Sequence, residues 1–208
     1  MTVRIYGYAA SINVRKVLWA CDEIGISYVR EDWGGGHRST SQPAFRALNP
    51  VAMVPVLDDG GHVLWESNTI VRYLAASRAR IDLLPTDPLG RAHIEKWMDW
   101  QASDLNDSWR YAFQALVRRR PEFADPDEIR RSIDAFTRMI AVVDARVRET
   151  GAYIAGDAFT VADIAIGLSV HRWNALPVDR PAFDHVARYT AMLCQRPAFA
   201  VHGRDGGS

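Results

Sequence analysis

Cysteine is scarce in this chain. Two of its 208 residues, Cys21 and Cys194, carry a thiol, and they stand far apart. No Cys-x-x-Cys pair exists, which excludes a zinc ribbon and a dithiol redox motif. Two lone thiols suit a reducing compartment. Lysine is scarce too: Lys16 and Lys96 are the only ones among 25 basic residues, a compositional bias read as lineage habit. Neither sign of charge is in excess, since 25 acidic residues match the 25 basic ones. Phosphate neutralisation needs a basic surplus or a basic face, so no nucleic-acid partner is expected. Nor is an anionic membrane surface. No apolar run approaches the roughly 18 residues that cross a bilayer. Met1 to Tyr8 contain no basic stretch leading into a long apolar run, so no signal peptide is expected and the expected location is cytoplasmic. The 6 histidines have no metal-ligand spacing, and no metal is expected. With 14 glycines and 10 prolines the chain is neither collagen-like nor broadly disordered.

What is there begins with short alternating elements. Val3 to Tyr6 is β-prone. From Asn13 to Ile24 the apolar residues Val14, Val17, Leu18, Cys21 and Ile24 recur at helical spacing, and Gly25 follows as a C-cap candidate. Ser27 to Glu31 reads as a second strand, and Gly34-Gly35-Gly36 opens a polar loop to about Gln42. A short helix reaches Leu48. Val54 to Leu57 and His62 to Trp65 are strands joined by Asp58-Asp59-Gly60-Gly61, a hairpin signal. Ser67 to Ala76 is a helix. The order strand, helix, strand, helix, strand, strand, helix predicts a mixed four-stranded sheet with helices on its faces, the thioredoxin-like arrangement.

Ser77 to Pro88 lacks periodicity, and no strand pattern follows it. Leu89 to Arg120 is a long helical stretch. Asp125-Pro126 caps a helix whose apolar residues Ile129, Ile133, Phe136, Ile140, Val143 and Val147 share one face. Thr160 to Asp163 is a capping box before another apolar helix. Pro181 to Arg196 is the last helix, with frayed residues expected from Gly203 on. The fold class is therefore α/β plus all-α. Residues 1–76 form a thioredoxin-like domain, 77–88 a linker and 89–208 a C-terminal helical bundle domain.

Three places could carry chemistry. A Pro55 cis to Val54 would turn the Val54 backbone outward to pair with an extended peptide; a trans proline would merely open an edge strand. Glu66-Ser67 stands where a strand runs into a helix, whose N-terminus presents free N–H groups and partial positive charge. Ser67 could bind a carboxylate there and Glu66 an ammonium, or Ser67 could simply cap the helix, which is worth about 1 kcal/mol. Ser11, with Asn13, begins the first helix. Its hydroxyl could donate to a thiolate, or it too could be a cap. A thiol of pKa about 8.5 needs roughly 2.7 kcal/mol of preference for its anion to fall by about two units. One charge-assisted hydrogen bond and a helix terminus could supply most of that.

Together these residues resemble a cytosolic-type glutathione S-transferase over nearly the whole length. The resemblance is carried by Ser11-Ile12-Asn13-Val14-Arg15-Lys16-Val17, by Asn49-Pro50 leading to Val54-Pro55, by Trp65-Glu66-Ser67-Asn68 with Ile70 and Tyr73, and by the box at Thr160 to Asp163. The Ser-x-Asn form is most similar to the serine-type bacterial and plant branches. The resemblance implies glutathione as co-substrate, no metal, and a homodimer with a role in detoxification. By the same resemblance Ser11 would donate to the glutathione sulfur, Val54 would pair with the cysteinyl part, Pro55 would be cis, and Glu66 and Ser67 would hold the γ-glutamyl end. The thiolate would attack a small hydrophobic electrophile held against the helical domain.

Departures from the family pattern are informative. Ala52 and Met53 stand where the family often has Gly and then Lys or Gln, and Met53 has no side-chain donor. Thr40 and Ser41 stand where basic residues often grip the glycyl carboxylate, so His37, Arg38 and Gln42 are the candidates instead. Tyr6 and Tyr8 are rival hydroxyls to Ser11, which is preferred. Cys21 is placed in the core. Trp109 and Phe113, four apart on the long helix, are the choices for the electrophile pocket, with Tyr8. A non-catalytic transferase-like binding or regulatory protein is the alternative, as is a glutathione-dependent isomerase, peroxidase or dehalogenase.

Overall fold

A computed structural model describes residues 2–204. The chain forms two compact units: Met1–Asp87 together with the segment from Cys194 on, and Pro88–Leu193.

In the first unit, β1 (Val3–Tyr6), α1 (Ile12–Ile24), β2 (Tyr28–Glu31), α2 (Pro43–Leu48), β3 (Val56–Asp59), β4 (His62–Trp65) and α3 (Ser67–Ser77) follow one another. The sheet order is β2-β1-β3-β4. β1 and β2 run parallel, while β3 is antiparallel to both β1 and β4. This is the mixed four-stranded sheet the element order predicts. The hairpin turns on Gly60 and Gly61, both at positive φ (64° and 93°), as a tight turn between twisted strands requires. Gly25 ends α1 at φ 80°, and the Ile26 N–H closes the turn on the Cys21 carbonyl at 2.8 Å.

The apolar spacing of α1 predicts one buried face. The helix is instead buried on nearly every side, Arg15 and Lys16 included. A buried cation needs partners. Arg15 donates to the His202 and Gly203 carbonyls, and Lys16 donates to Asn68 Oδ1 at 3.1 Å. The cover over α1 is the chain's own end, α9 (Pro197–Phe199) and a π turn at Ala200–Arg204. Phe199 packs on Trp19 with ring centroids 4.9 Å apart. Arg196 grips Glu23 with two hydrogen bonds of 2.8 and 2.6 Å, and His202 meets Asp22 at 2.6 Å. Two expectations are corrected by this. The final segment groups with the first unit rather than with residues 89–208, because α1 supplies its polar partners. Gly203 is held in the π turn rather than frayed; residues 205–208 lie outside the described residues.

In the second unit, α4 (Pro88–Trp100) passes through a π turn at Gln101–Leu105 into α5 (Asn106–Leu116), so the long helical stretch ends before Val117 rather than at Arg120. α6 (Pro126–Thr150), α7 (Val161–Ala175) and α8 (Asp184–Cys194) follow. Asp125 caps α6 as its Asp-Pro signal predicts. The buried capping box of α7 does more than cap. Asp163 accepts from the Ile154 N–H (2.9 Å), the Thr160 N–H (2.8 Å), the Thr160 hydroxyl (3.2 Å) and the Tyr189 hydroxyl (2.9 Å). One carboxylate thus ties three segments together. Asp163→Ala leaves two buried N–H groups and a phenol unpaired, each costing about 1–3 kcal/mol. A loss of at least about 3 kcal/mol in denaturant unfolding is expected, and a loss under about 1 kcal/mol would contradict this role.

Candidate functional site

The ladder register aligns Glu31 with Tyr6, Tyr6 with Val56 and Val56 with Trp65. These four residues form one row at one end of the sheet. Apart from Tyr6, which is in the row, and Gln42 at the start of α2, the candidates of the first unit lie beyond that row: the Tyr8–Asn13 segment after β1, His37 and Arg38 after β2, Met53 to Pro55 before β3, and Glu66-Ser67 after β4.

At the turn after β1, Gly7 makes close approach possible. A side chain there would meet Val14 Cγ2 at 2.5 Å and Val54 Cβ at 3.1 Å. The start of α1 is thereby set against the 49–55 turn. Ser11 occupies the N-cap position of α1, yet its hydroxyl makes no capping bond. Asn13 Oδ1 accepts from the Ser67 hydroxyl at 3.4 Å, and the Lys16–Asn68 bond lies one helical turn further along. The N-termini of α1 and α3, each with unsatisfied N–H groups, therefore lie side by side.

Ser67 is not the cap of α3. Glu66 takes that position at φ 70°, ψ 110°, without a side-chain cap bond, and Ser67 is the first helical residue. A glutamate at positive φ is a strained conformation costing about 1–3 kcal/mol. Ala52, at φ 57°, is a second such residue in the site. The Val54–Pro55 bond is cis, and Val54 stands outside the ladder, whose pairing begins at Val56. Buried Asn49 holds this turn by donating to the Met53 carbonyl (2.7 Å) and accepting from the Val51 N–H (3.0 Å). Met53 itself is 62% exposed.

The triglycine segment packs onto Tyr8: a side chain at Gly35 would lie 2.6 Å from the ring. His37 comes within 6.3 Å of the Tyr8 ring, centroid to centroid. Arg38 pairs with Glu31 at 3.3 Å and lies over Trp33 at 5.5 Å. Arg30, Glu31, Asp32, His37 and Arg38 line a shallow cavity of about 520 Å³. Gln42 is exposed at the start of α2 and makes no capping bond. Tyr6 packs with Trp33, Phe45 and Val56, and burial raises its hydroxyl pKa. Cys21 is fully buried, and burial pushes its thiol up to about 12, so it stays protonated. Among the described residues no group of three His, Cys, Asp or Glu side chains could hold a metal ion, and no helix is long and apolar enough to cross a membrane.

Trp109 and Phe113 belong to the second unit. Their rings meet edge to face on α5 with centroids 5.6 Å apart. Arg172 of α7 rests 4.1 Å from both centroids. The sequence reading missed this arginine, and it missed Asn49 and Lys16 as organisers of the first unit. Only the Asn-Pro and Arg-Lys pairs could have hinted at the last two.

The chain matches the family model for the glutathione S-transferase N-terminal domain over residues 5–80 and that for the C-terminal domain over residues 126–191. It is 33% identical to glutathione S-transferase GstB of Escherichia coli over 198 residues, covering 94% of this chain and 95% of that protein. It is 33% identical to glutathione S-transferase 3 of Zea mays over 208 residues, covering 95% and 91%. Among solved structures it is similar to the theta class glutathione S-transferase of Xanthomonas axonopodis pv. citri with glutathione bound, at 39% identity and a TM-score of 0.88, covering 95% of this chain and 94% of that one.

Replacing a capping serine by alanine costs about 0.5–2 kcal/mol. Because the Ser11 hydroxyl makes no cap bond, Ser11→Ala is expected to change unfolding free energy by less than about 0.5 kcal/mol. A larger loss would return Ser11 to a structural role.

Proposed function

The chain belongs to the glutathione S-transferase family, and from that premise we propose how its own residues divide the work. The protein is an enzyme that joins glutathione, its co-substrate, to an electrophile. The observation that carries the assignment is the Ser11 hydroxyl, which stands at a helix N-terminus and makes no capping bond. It donates to the glutathione sulfur and, with the partial positive charge of α1, favours the thiolate. Asn13 sets the start of α1 against α3 through Ser67. The Val54 backbone pairs with the cysteinyl part beside the cis Pro55. Glu66 holds the γ-glutamyl ammonium, and the Ser67 N–H and hydroxyl hold its carboxylate at the start of α3.

His37, Arg38 and Gln42 receive the glycyl carboxylate. The packing of the triglycine segment on Tyr8, which carries His37 toward the site, supports this. Exposed Met53 contributes its main chain but no side-chain donor. The electrophile is small and hydrophobic; Trp109 and Phe113 of the second unit and Tyr8 of the first are the residues assigned to it. The exposed apolar side chains Val51, Met53, Val63 and Trp65, along the 49–54 turn and β4, support a homodimer. Detoxification in the cytoplasm is the role this chemistry fits. Ala52 and Met53 favour one alternative, a transferase-like protein that binds glutathione without turning it over.

Two measurements decide between these readings. Glutathione at about 100 times its dissociation constant adds roughly 2.7 kcal/mol to the native state. A rise of several degrees in Tm is expected, and it should be largely lost in Ser67→Ala. Ser11→Ala is expected to lower kcat/KM about 10- to 100-fold, the worth of one hydrogen bond to an anion, while glutathione still raises Tm. Unchanged turnover in Ser11→Ala would remove Ser11 from catalysis. Binding without turnover in the wild type would leave the non-catalytic alternative standing.

A further inference from the structure

Arg15 carries a buried charge that no carboxylate among the described residues neutralises. The residue is 5% exposed, and burial pulls its pKa down to about 10, so it stays protonated at neutral pH. Its partners are the His202 and Gly203 carbonyls. They satisfy its N–H donors but bring no countercharge, whereas buried charges are ordinarily paired. The charged groups around it are engaged elsewhere. On α1, Lys16 donates to Asn68, Asp22 meets His202 and Glu23 is gripped by Arg196. On α3, Tyr73 and Arg78 bind Asp59, and Arg72 is itself a cation.

The place of this charge is the second observation. Ser11, Arg15, Trp19 and Glu23 recur every four residues and so share one stripe of α1. The last segment of the chain runs up that stripe in reverse, with Arg196 on Glu23, Phe199 on Trp19, and His202 and Gly203 on Arg15. The approach is close, since a side chain at Gly203 would fall 2.0 Å from the Phe199 ring. One turn above the final contact, the Ser11 carbonyl accepts from the Arg15 N–H at 2.9 Å. The residue that closes the first turn of α1 on Ser11 is therefore the one clamped to the end of the chain. Its full charge is added near the helix end where the macrodipole is already positive.

We infer that the glutathione thiolate is the countercharge of Arg15, which acts as a positioning residue: it fixes the first turn of α1 through Ser11 and, through its field, favours the anion of the thiol bound there. This rests on the reading of Ser11 as the donor to the sulfur, and it deepens that reading by adding a second source of thiolate preference. Contact with the sulfur is not required, because a unit charge in a poorly screened interior acts over several ångströms more strongly than in water. As the thiolate forms, its proton leaves to solvent and Arg15 keeps its own.

The test is a pH titration of the ultraviolet thiolate absorbance of glutathione bound to the full chain, which needs no electrophile. An opposite charge in contact moves a pKa by about 1–3 units. At the remove of a helical turn, Arg15→Met is expected to raise the pKa of the bound thiol by about half a unit to one unit, and Arg15→Lys to keep it near the wild-type value. Arg15→Gln, which retains a donor for the carbonyls, carries the same expectation where Arg15→Met does not fold. Phe199→Leu loosens the last segment without removing a charge, so it should lower Tm and leave the thiol where it was. An unchanged thiol pKa in the neutral Arg15 variants, or an equal rise in Phe199→Leu, overturns the inference and leaves Arg15 as a clamp for the chain's end. A rise in Ser11→Ala with none in Arg15→Met overturns the inference alone and keeps the Ser11 reading; no rise in either overturns both.

Discussion

One row of residues across the sheet sets the geometry of the first unit. Glu31, Tyr6, Val56 and Trp65 are neighbours in a single ladder register. Side chains alternate faces along a strand, so a slip of one residue in any pairing would turn a whole strand over. Here the register is enforced by burial: Val3, Ile5, Val56 and Leu57 are completely enclosed. Four chain segments leave that row at the same end of the sheet. Most of the residues proposed to hold glutathione are the first few on these segments; His37, Arg38 and Gln42 stand further along the β2–α2 connection. They need no long-range positioning of their own, because the hydrophobic register of the strands delivers them together.

The second constraint is the complete burial of α1. A helix that places Arg15 and Lys16 in the interior has to satisfy both charges there, and unpaired they would cost several kcal/mol each. Arg15 is satisfied by backbone carbonyls of His202 and Gly203, and Lys16 by Asn68. Each pairing also fixes an element: Arg15 fixes the chain's end against α1, and Lys16 fixes α1 against α3. The polar groups that support Ser11 and Ser67 are therefore the same groups that close the core. Replacing them by apolar residues would remove the direct link between core packing and site geometry.

Much of this was legible in the sequence. β-prone runs, apolar residues at helical spacing, Gly25, the Asp-Asp-Gly-Gly hairpin and the Thr160–Asp163 box predict the elements and their order along the chain, and from those a mixed four-stranded sheet. The site turns were legible as strand-to-helix junctions with Ser, Glu and Pro at them. Other features were hidden for physical reasons. Positive φ at Glu66 and Ala52 is imposed by tertiary packing, since neither residue type favours it. The π turn at Gln101–Leu105 keeps helical composition throughout, so no local signal marks it. The return of the last segment to α1 depends on polar pairings between residues nearly 190 positions apart, as with the Arg15 guanidinium and the Gly203 carbonyl. Pattern reading along the chain cannot see such a pairing.

The tasks proposed for the two units call for opposite means. In the first, polar atoms are left available: the Ser11 hydroxyl makes no cap, the Val54 main chain stands outside the ladder, and two helix N-termini lie together. That arrangement suits a zwitterionic peptide, whose charges and amides can be matched one by one. In the second, the proposed seat is made of ring faces, which match shape but no particular hydrogen-bond pattern. Dispersion and ring electrostatics tolerate variation in the partner, whereas a buried donor left without its acceptor is penalised heavily. The proposed sites are thus strict toward the thiol and permissive toward the electrophile.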